Sequence, residues 1–305
     1  MARWAVLAAV VFVAVAVDVW VLHRRPGRIG LNAAVAEIAG WVALALGFGL
    51  WVYLTTGRQA GLEFLAGYVI EKSLSLDNIL LFLIVFQTFG VAAEYQHRVL
   101  YFGIVGALVM RAAFVFAGIA LLQRFAFVGI FFGAILLIAG VRMLWPGAES
   151  PGAEERWAVR AVRRVFPVTD NAAGGLRFWM KRDGKWNATP LFLALIVVEV
   201  MDVVLAIDSV PAVLAVTRDP FIAYSSNVFA VLGLRAMYFA LAALLPRFRF
   251  LHAGLAAILI FIGGKMVAGE HLVLSTGMSL GILAVILAVM MAASLLWPRR
   301  VARSS

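Results

Sequence analysis

Long apolar runs, each close to the length that crosses a bilayer, dominate the chain. A membrane-spanning helix needs about 20 mostly apolar residues. Nine stretches qualify: 3–22, 35–56, 62–89, 99–122, 126–145, 190–216, 221–245, 250–270 and 273–297. They are longer than the roughly ten-residue alternating segments of a transmembrane barrel. The pattern predicts an all-α polytopic membrane protein of about nine transmembrane helices, forming a single membrane domain over 1–305. The first run contains Ala14-Val15-Ala16, which looks like a signal-peptide cleavage site. Only Arg3 precedes the run, however, and Arg24-Arg25 follows it, which is the flanking of a retained helix.

Composition agrees with this reading. Of 305 residues, 64% are hydrophobic and 14% are charged, and the mean hydropathy is +1.00. Soluble domains run about 45–50% apolar and about 25% charged. There is no cysteine, which excludes disulfides and thiolate metal sites. The net charge of +10 is explained by where the cations lie. Connections alternate sides, and one side carries seventeen Lys and Arg, eight of them in the 146–189 loop. The other side holds Arg3, Arg58, Arg124 and Arg218. Basic residues stay on the cytoplasmic face. This predicts a multi-pass plasma-membrane protein with its N-terminus outside, its C-terminus inside and a cytoplasmic 146–189 loop. The basic balance then needs no nucleic-acid partner. The loop opens on Pro146-Gly147 and carries Gly174-Gly175, so it reads as irregular chain with one short basic helix.

An internal repeat runs through the spans, one unit at about 62–145 and the other at about 190–270. Glu71 lies six residues before Asp77-Asn78, and Asp202 lies six before Asp208-Ser209. Arg111 and Arg235 sit in the middle of the following spans. Leu122-Gln123-Arg124-Phe125 answers to Leu245-Pro246-Arg247-Phe248, and Gly140-Val141-Arg142-Met143 to Gly263-Gly264-Lys265-Met266. Each unit has three spans, so the two cross the membrane in opposite senses. Inverted repeats are a recurring plan of secondary transporters, with the substrate site near the midplane.

Charge within the spans supplies candidate chemistry. Glu71, Lys72 and Asp77 fall in span three, and Glu199, Asp202 and Asp208 in span six. Arg111, Arg235 and Lys265 lie in neighbouring spans, and Asp18 near the inner end of span one. Each ionisable group at the bilayer centre costs at least about 2.5–3.5 kcal/mol. Four cations against six anions leave a carboxylate surplus that a bound cation or protons would offset. Arg111 and Arg235 either hold carboxylates in place or act as tethered counter-charges when an ion leaves. Pro211 cannot donate to the Ile207 carbonyl, so an unwound segment is expected beside Asp208. Asn227 with Ser225-Ser226 either extends the polar path or forms interhelical hydrogen bonds. All four histidines lie near span ends, so the available ligands are hard oxygens, suited to Mg²⁺, Ca²⁺ or Mn²⁺.

The segments Glu71-Lys-Ser-Leu-Ser-Leu-Asp-Asn78 and Glu199-Val-Met-Asp-Val-Val-Leu-Ala-Ile-Asp-Ser-Val-Pro211 resemble those of the TerC/Alx family of integral membrane proteins. Glu94-Tyr-Gln-His-Arg98 and the Asp18…His23-Arg-Arg25 segment are also similar. The likeness runs from about residue 15 to about 297. It implies a relationship to the LysE-type exporters, an association with tellurium resistance and manganese efflux, and functional roles for Glu71, Asp77, Asn78, Glu199, Asp202, Asp208 and Ser209. The expected function is export of a divalent cation, Mn²⁺ foremost, by alternating access, with proton coupling as a compatible mechanism. Lys72, Arg111, Arg235, Lys265 and Asp18 are the expected ion-pair and coupling residues. No enzymatic activity or resident cofactor is expected. The expected partners are the transported cation and the lipid bilayer, and a homo-oligomer or membrane partners are compatible. The second reading is a membrane scaffold or assembly factor for tellurite resistance or metal delivery.

Overall fold

The computed structural model describes residues 2–24, 31–125, 127–144, 178–182, 185–244, 250–269 and 274–296. Among them are ten helices and one β-hairpin: α1 (Ala2–Arg24), α2 (Leu31–Thr56), α3 (Arg58–Thr88), α4 (Ala93–Arg124), α5 (Phe127–Leu144), β1 (Trp179–Arg182), β2 (Lys185–Ala188), α6 (Pro190–Leu214), α7 (Pro220–Leu232), α8 (Leu234–Leu244), α9 (Leu251–Ala268) and α10 (Thr276–Leu296). The helices fall on the nine predicted spans, with α7 and α8 sharing 221–245. Stretches within α2, α4, α5, α6 and α10 are each long and apolar enough to cross a bilayer. Phe12, Leu54, Val109, Phe127 and Leu296 are exposed. That is the surface expected where the solvent is hydrocarbon.

Local chemistry sets the helix starts. The Thr189 side chain accepts from the Phe192 backbone N–H at 3.4 Å, with Pro190 in the first turn. Asp219 Oδ1 accepts from the N–H groups of Phe221 and Ile222, again with a proline following. A side-chain cap followed by proline satisfies donors that a new helix leaves open. Between α2 and α3 the chain turns at Gly57, whose φ of 111° favours a residue without Cβ.

Two expectations about helix continuity are corrected. α6 runs unbroken through Pro211, so the predicted unwound segment beside Asp208 is not seen. A helix continues past a proline when neighbouring helices support the backbone around it. The break falls instead in span seven, at Gly233 between α7 and α8. The hairpin is also unpredicted. It pairs Trp179 with Ala188 and Arg182 with Lys185, and it packs on the bundle through rings, Trp179 against Phe192 at 4.5 Å and Phe178 against Phe102 at 5.3 Å. The rest of the 146–189 loop, where the short basic helix was expected, lies outside the described residues except for Phe178 and Thr189.

Around the centre, α3 packs on α6 and α7, and α4 packs on α6 and α7. α5 and α9 form the closest pair. A Cβ on Gly263 would lie 2.7 Å from the Leu137 backbone nitrogen, and one on Gly140 would lie 2.9 Å from the Ala256 carbonyl oxygen. Backbone contact of this kind needs small residues, because lipid offers no hydrophobic drive and packing must hold the helices together. Gly263→Leu is expected to force the two helices apart and destabilise the protein by about 1–3 kcal/mol. Thermal unfolding in detergent, beside Gly264→Leu, where a Cβ meets nothing within 4 Å, checks this.

Candidate functional site

The buried charges converge on one guanidinium. Arg111 of α4 is 1% exposed and lies between carboxylates from two other helices, Glu71 of α3 at 0% and Asp202 of α6 at 4%. Its Nη1 donates to Glu71 Oε1 and, at 2.6 Å, to Asn227 Oδ1 of α7. Nη2 donates to Asp202 Oδ1 at 3.3 Å. Asn227 Nδ2 donates onward to Glu71 Oε2, and Asn78 Nδ2 of α3 donates to Asp202 Oδ1, each at 3.3 Å. The five side chains form one network across four helices. Counted at formal charges, two acids and one guanidinium leave it one negative charge in excess.

Helical spacing explains why these residues meet. Glu71, Ser75 and Asn78 fall at i, i+4 and i+7 of an unbroken α3 and share a face. Asp202 and Ser209 share a face of α6 for the same reason. Asp202 Oδ2, Ser75 Oγ and Ser209 Oγ are buried without a hydrogen-bond partner among the described residues. Such groups are uncommon in protein interiors, where buried polar atoms are nearly always bonded. A cavity of about 10 Å³ beside Asp202 is lined also by Gly103, Ala107, Val198 and Leu234 among others. That is room for about one water.

Other predicted residues take varied places. Glu199, half-buried, lies one turn before Asp202, and its carboxylate rests against Gly106 of α4, where a Cβ would collide with it. Asp208 is half-buried on α6, six residues or about 9 Å along the axis from Asp202. Asp77 lies on α3, and Asp18 on α1, but both side chains are outside what is described. Lys72 is not in the network. Its Nζ donates to the Ala230 carbonyl oxygen at 3.0 Å, at the end of α7. Arg235 donates to Glu37 Oε1 of α2 at 2.6 Å. Lys265 donates to Ser279 Oγ at 2.9 Å, tying α9 to α10 away from the carboxylates. Ser225 and Ser226 bond back to their own helix, at the carbonyls of Ile222 and Ala223. Only Asn227 of that trio reaches the site. Among the described residues no three of Asp, Glu, His and Cys come together as a metal cluster.

Sequence reasoning missed Glu37. The signal was present, since it is the one carboxylate in span 35–56 and intramembrane charges are functional candidates by default. It also passed over Gly103 and Gly106, which only their closeness to Glu199 makes legible.

The chain is similar to known integral membrane proteins. The integral membrane protein TerC family matches residues 56–302. A Myxococcus xanthus protein, uncharacterized membrane protein STKORF319, is 42% identical over 97% of this chain and 92% of its own length. An Escherichia coli K12 protein with the provisional name membrane-bound redox modulator Alx is 42% identical over 92% of this chain and 89% of its own. A membrane protein of Rickettsia bellii is 34% identical over 91% of each. No solved structure matches. With the family match covering most of the chain and relatives aligned nearly end to end, the protein belongs to the integral membrane protein TerC family.

Proposed function

We propose that this protein exports a divalent cation, Mn²⁺ first among the candidates, across the plasma membrane by alternating access. The observation that carries the reading is the Glu71–Asp202 pair. Two carboxylates from different helices are buried at one place, and a single guanidinium supplies their counter-charge. Arg111 stands where a divalent cation would be held by the same oxygens together with Asn78. Asp77, Asp208 and Glu199 flank that place on the same two helices. All these donors are hard oxygens, the class that suits Mn²⁺ and not Cu⁺. When the ion leaves, Arg111 closes on the carboxylates, and protons taken up by the flanking acids give antiport a route.

The packing supports the inverted-repeat part of the reading. Glu71 and Asp202 are mates in the sequence repeat, and they share one arginine. Gly140 and Gly263, also mates, each press into the other's helix. Span three meets span seven as span four meets span six. The chain has no cysteine, so a redox effect of the kind in the Alx name would not run through a thiol of this chain. The seventeen cations on one side support an inward loop and C-terminus.

Purified protein in liposomes is expected to carry Mn²⁺ to an internal metal-quenched dye. Asp202→Asn is expected to weaken Mn²⁺ binding at least tenfold, about 1.4 kcal/mol, and to abolish flux. Arg111→Gln is expected to lose flux while keeping or tightening binding, because the carboxylates lose their resident counter-charge. Normal flux in Asp202→Asn would remove that residue from the site. Single cysteines placed at 150–176 are expected to react with impermeant maleimide only in inverted vesicles; labelling of intact cells would reverse the orientation.

A further inference from the structure

We propose that Glu37, on a helix outside the repeated units, is a positioning residue of the transport cycle. It holds Arg235 aside in the state seen here and releases it in the opposite state to take the place of Arg111 on the Glu71–Asp202 pair. The inference rests on the transport reading above.

Arg111 and Arg235 occupy matching places in the two units, as Glu71 and Asp202 do. The carboxylate pair is therefore its own mate. Exchanging the conformations of the two units leaves Glu71 and Asp202 facing one another and substitutes one arginine for the other. In the state seen, the arginines are used unequally. Arg111 bridges both acids, and Arg235, with its side chain 3% exposed, donates to Glu37.

The local structure gives the exchange a place. α8 is a separate helix of eleven residues that begins just after the break at Gly233. Leu234 already lines the cavity beside Asp202. Neighbouring positions on a helix are about 100° apart, so turning α8 by one residue step replaces Leu234 with Arg235 on that wall. Lys72 seats the break. Its ammonium holds the Ala230 carbonyl, and a Cβ on Gly233 would come within 2.8 Å of it. On the other side, Glu37 lines a groove of about 670 Å³ between α1 and α2, with Val13, Trp41 and Leu44.

Two measurements on the full-length protein test this. First, Mn²⁺ binding is read by the loss of its free-ion EPR signal. Glu37→Gln is expected to weaken binding at least tenfold, because Arg235 now competes for the carboxylates, and Glu37→Asp to restore most of it. Glu37→Gln combined with Arg235→Gln is expected to recover binding to within about threefold of the starting protein, yet remain without flux in liposomes. A double variant that binds as weakly as Glu37→Gln alone would show the pair to be structural only and overturn the proposal. Second, Ile38→Cys with Ala236→Cys, across the α2–α8 contact, is treated with a short bis-thiol crosslinker, the chain having no other cysteine. Crosslinking is expected to fall at least threefold when Glu37→Gln is added; an unchanged yield would overturn the proposal. No Mn²⁺ binding in any variant, with crosslinking still dependent on Glu37, would sink the transport reading and leave the Glu37–Arg235 latch supported.

Discussion

A guanidinium shared by two carboxylates in a low-dielectric interior sets the terms for everything around it. Each charge alone would be expelled from the membrane or neutralised. Together they persist because Arg111 offers a planar fork of donors, and Asn227 and Asn78 fill sites that it leaves on the two acids. Among the described residues the arrangement still leaves an acid oxygen and two hydroxyls without hydrogen-bond partners. A buried network with one charge in excess gains little stability from its ion pairs. Under the transport proposal, that excess is what a bound cation would offset.

The helices that bring these charges together are held by a different principle. Hydrocarbon solvent rewards no apolar contact between them, so close approach decides. Gly67 faces Ser226 where α3 meets α7, Gly106 gives space to the Glu199 carboxylate on α6, and the α5–α9 pair meets backbone to backbone. Polar site and small-residue contacts thus divide the labour. The contacts fix which helices are neighbours, and the charges fix what the neighbours can bind.

Much of this was legible in the sequence, because membrane helices are written in composition. The nine spans follow from run length alone, and Arg111, Glu71 and Asp202 stood out as charges where hydrocarbon was expected. What the sequence left open was partnership. It allowed Arg111 either to hold carboxylates or to serve as a counter-charge, and the geometry shows it bonded to two acids. Pro211 misled because a missing hydrogen bond was read as a break, whereas the flanking helices carry α6 through it. The actual break is at Gly233, whose ordinary negative φ of −88° leaves no mark in composition. Glu37 lies outside the repeat, so no mate elsewhere in the sequence points to it. Lys265 belonged to the repeat but not to the site, since periodicity places a residue on a helix without saying which neighbour it faces.

The α5–α9 contact has a consequence for biogenesis. α5 is complete at Leu144, and its partner does not begin until Leu251. At about 5–20 residues per second, α5 waits about 5–20 s in the bilayer with the Gly133–Gly140 face uncovered. During that interval the same face can accept any other helix that presents small residues. Correct assembly therefore depends on order of synthesis as well as on fit, and slowing translation between the two helices would lengthen the window for mispairing.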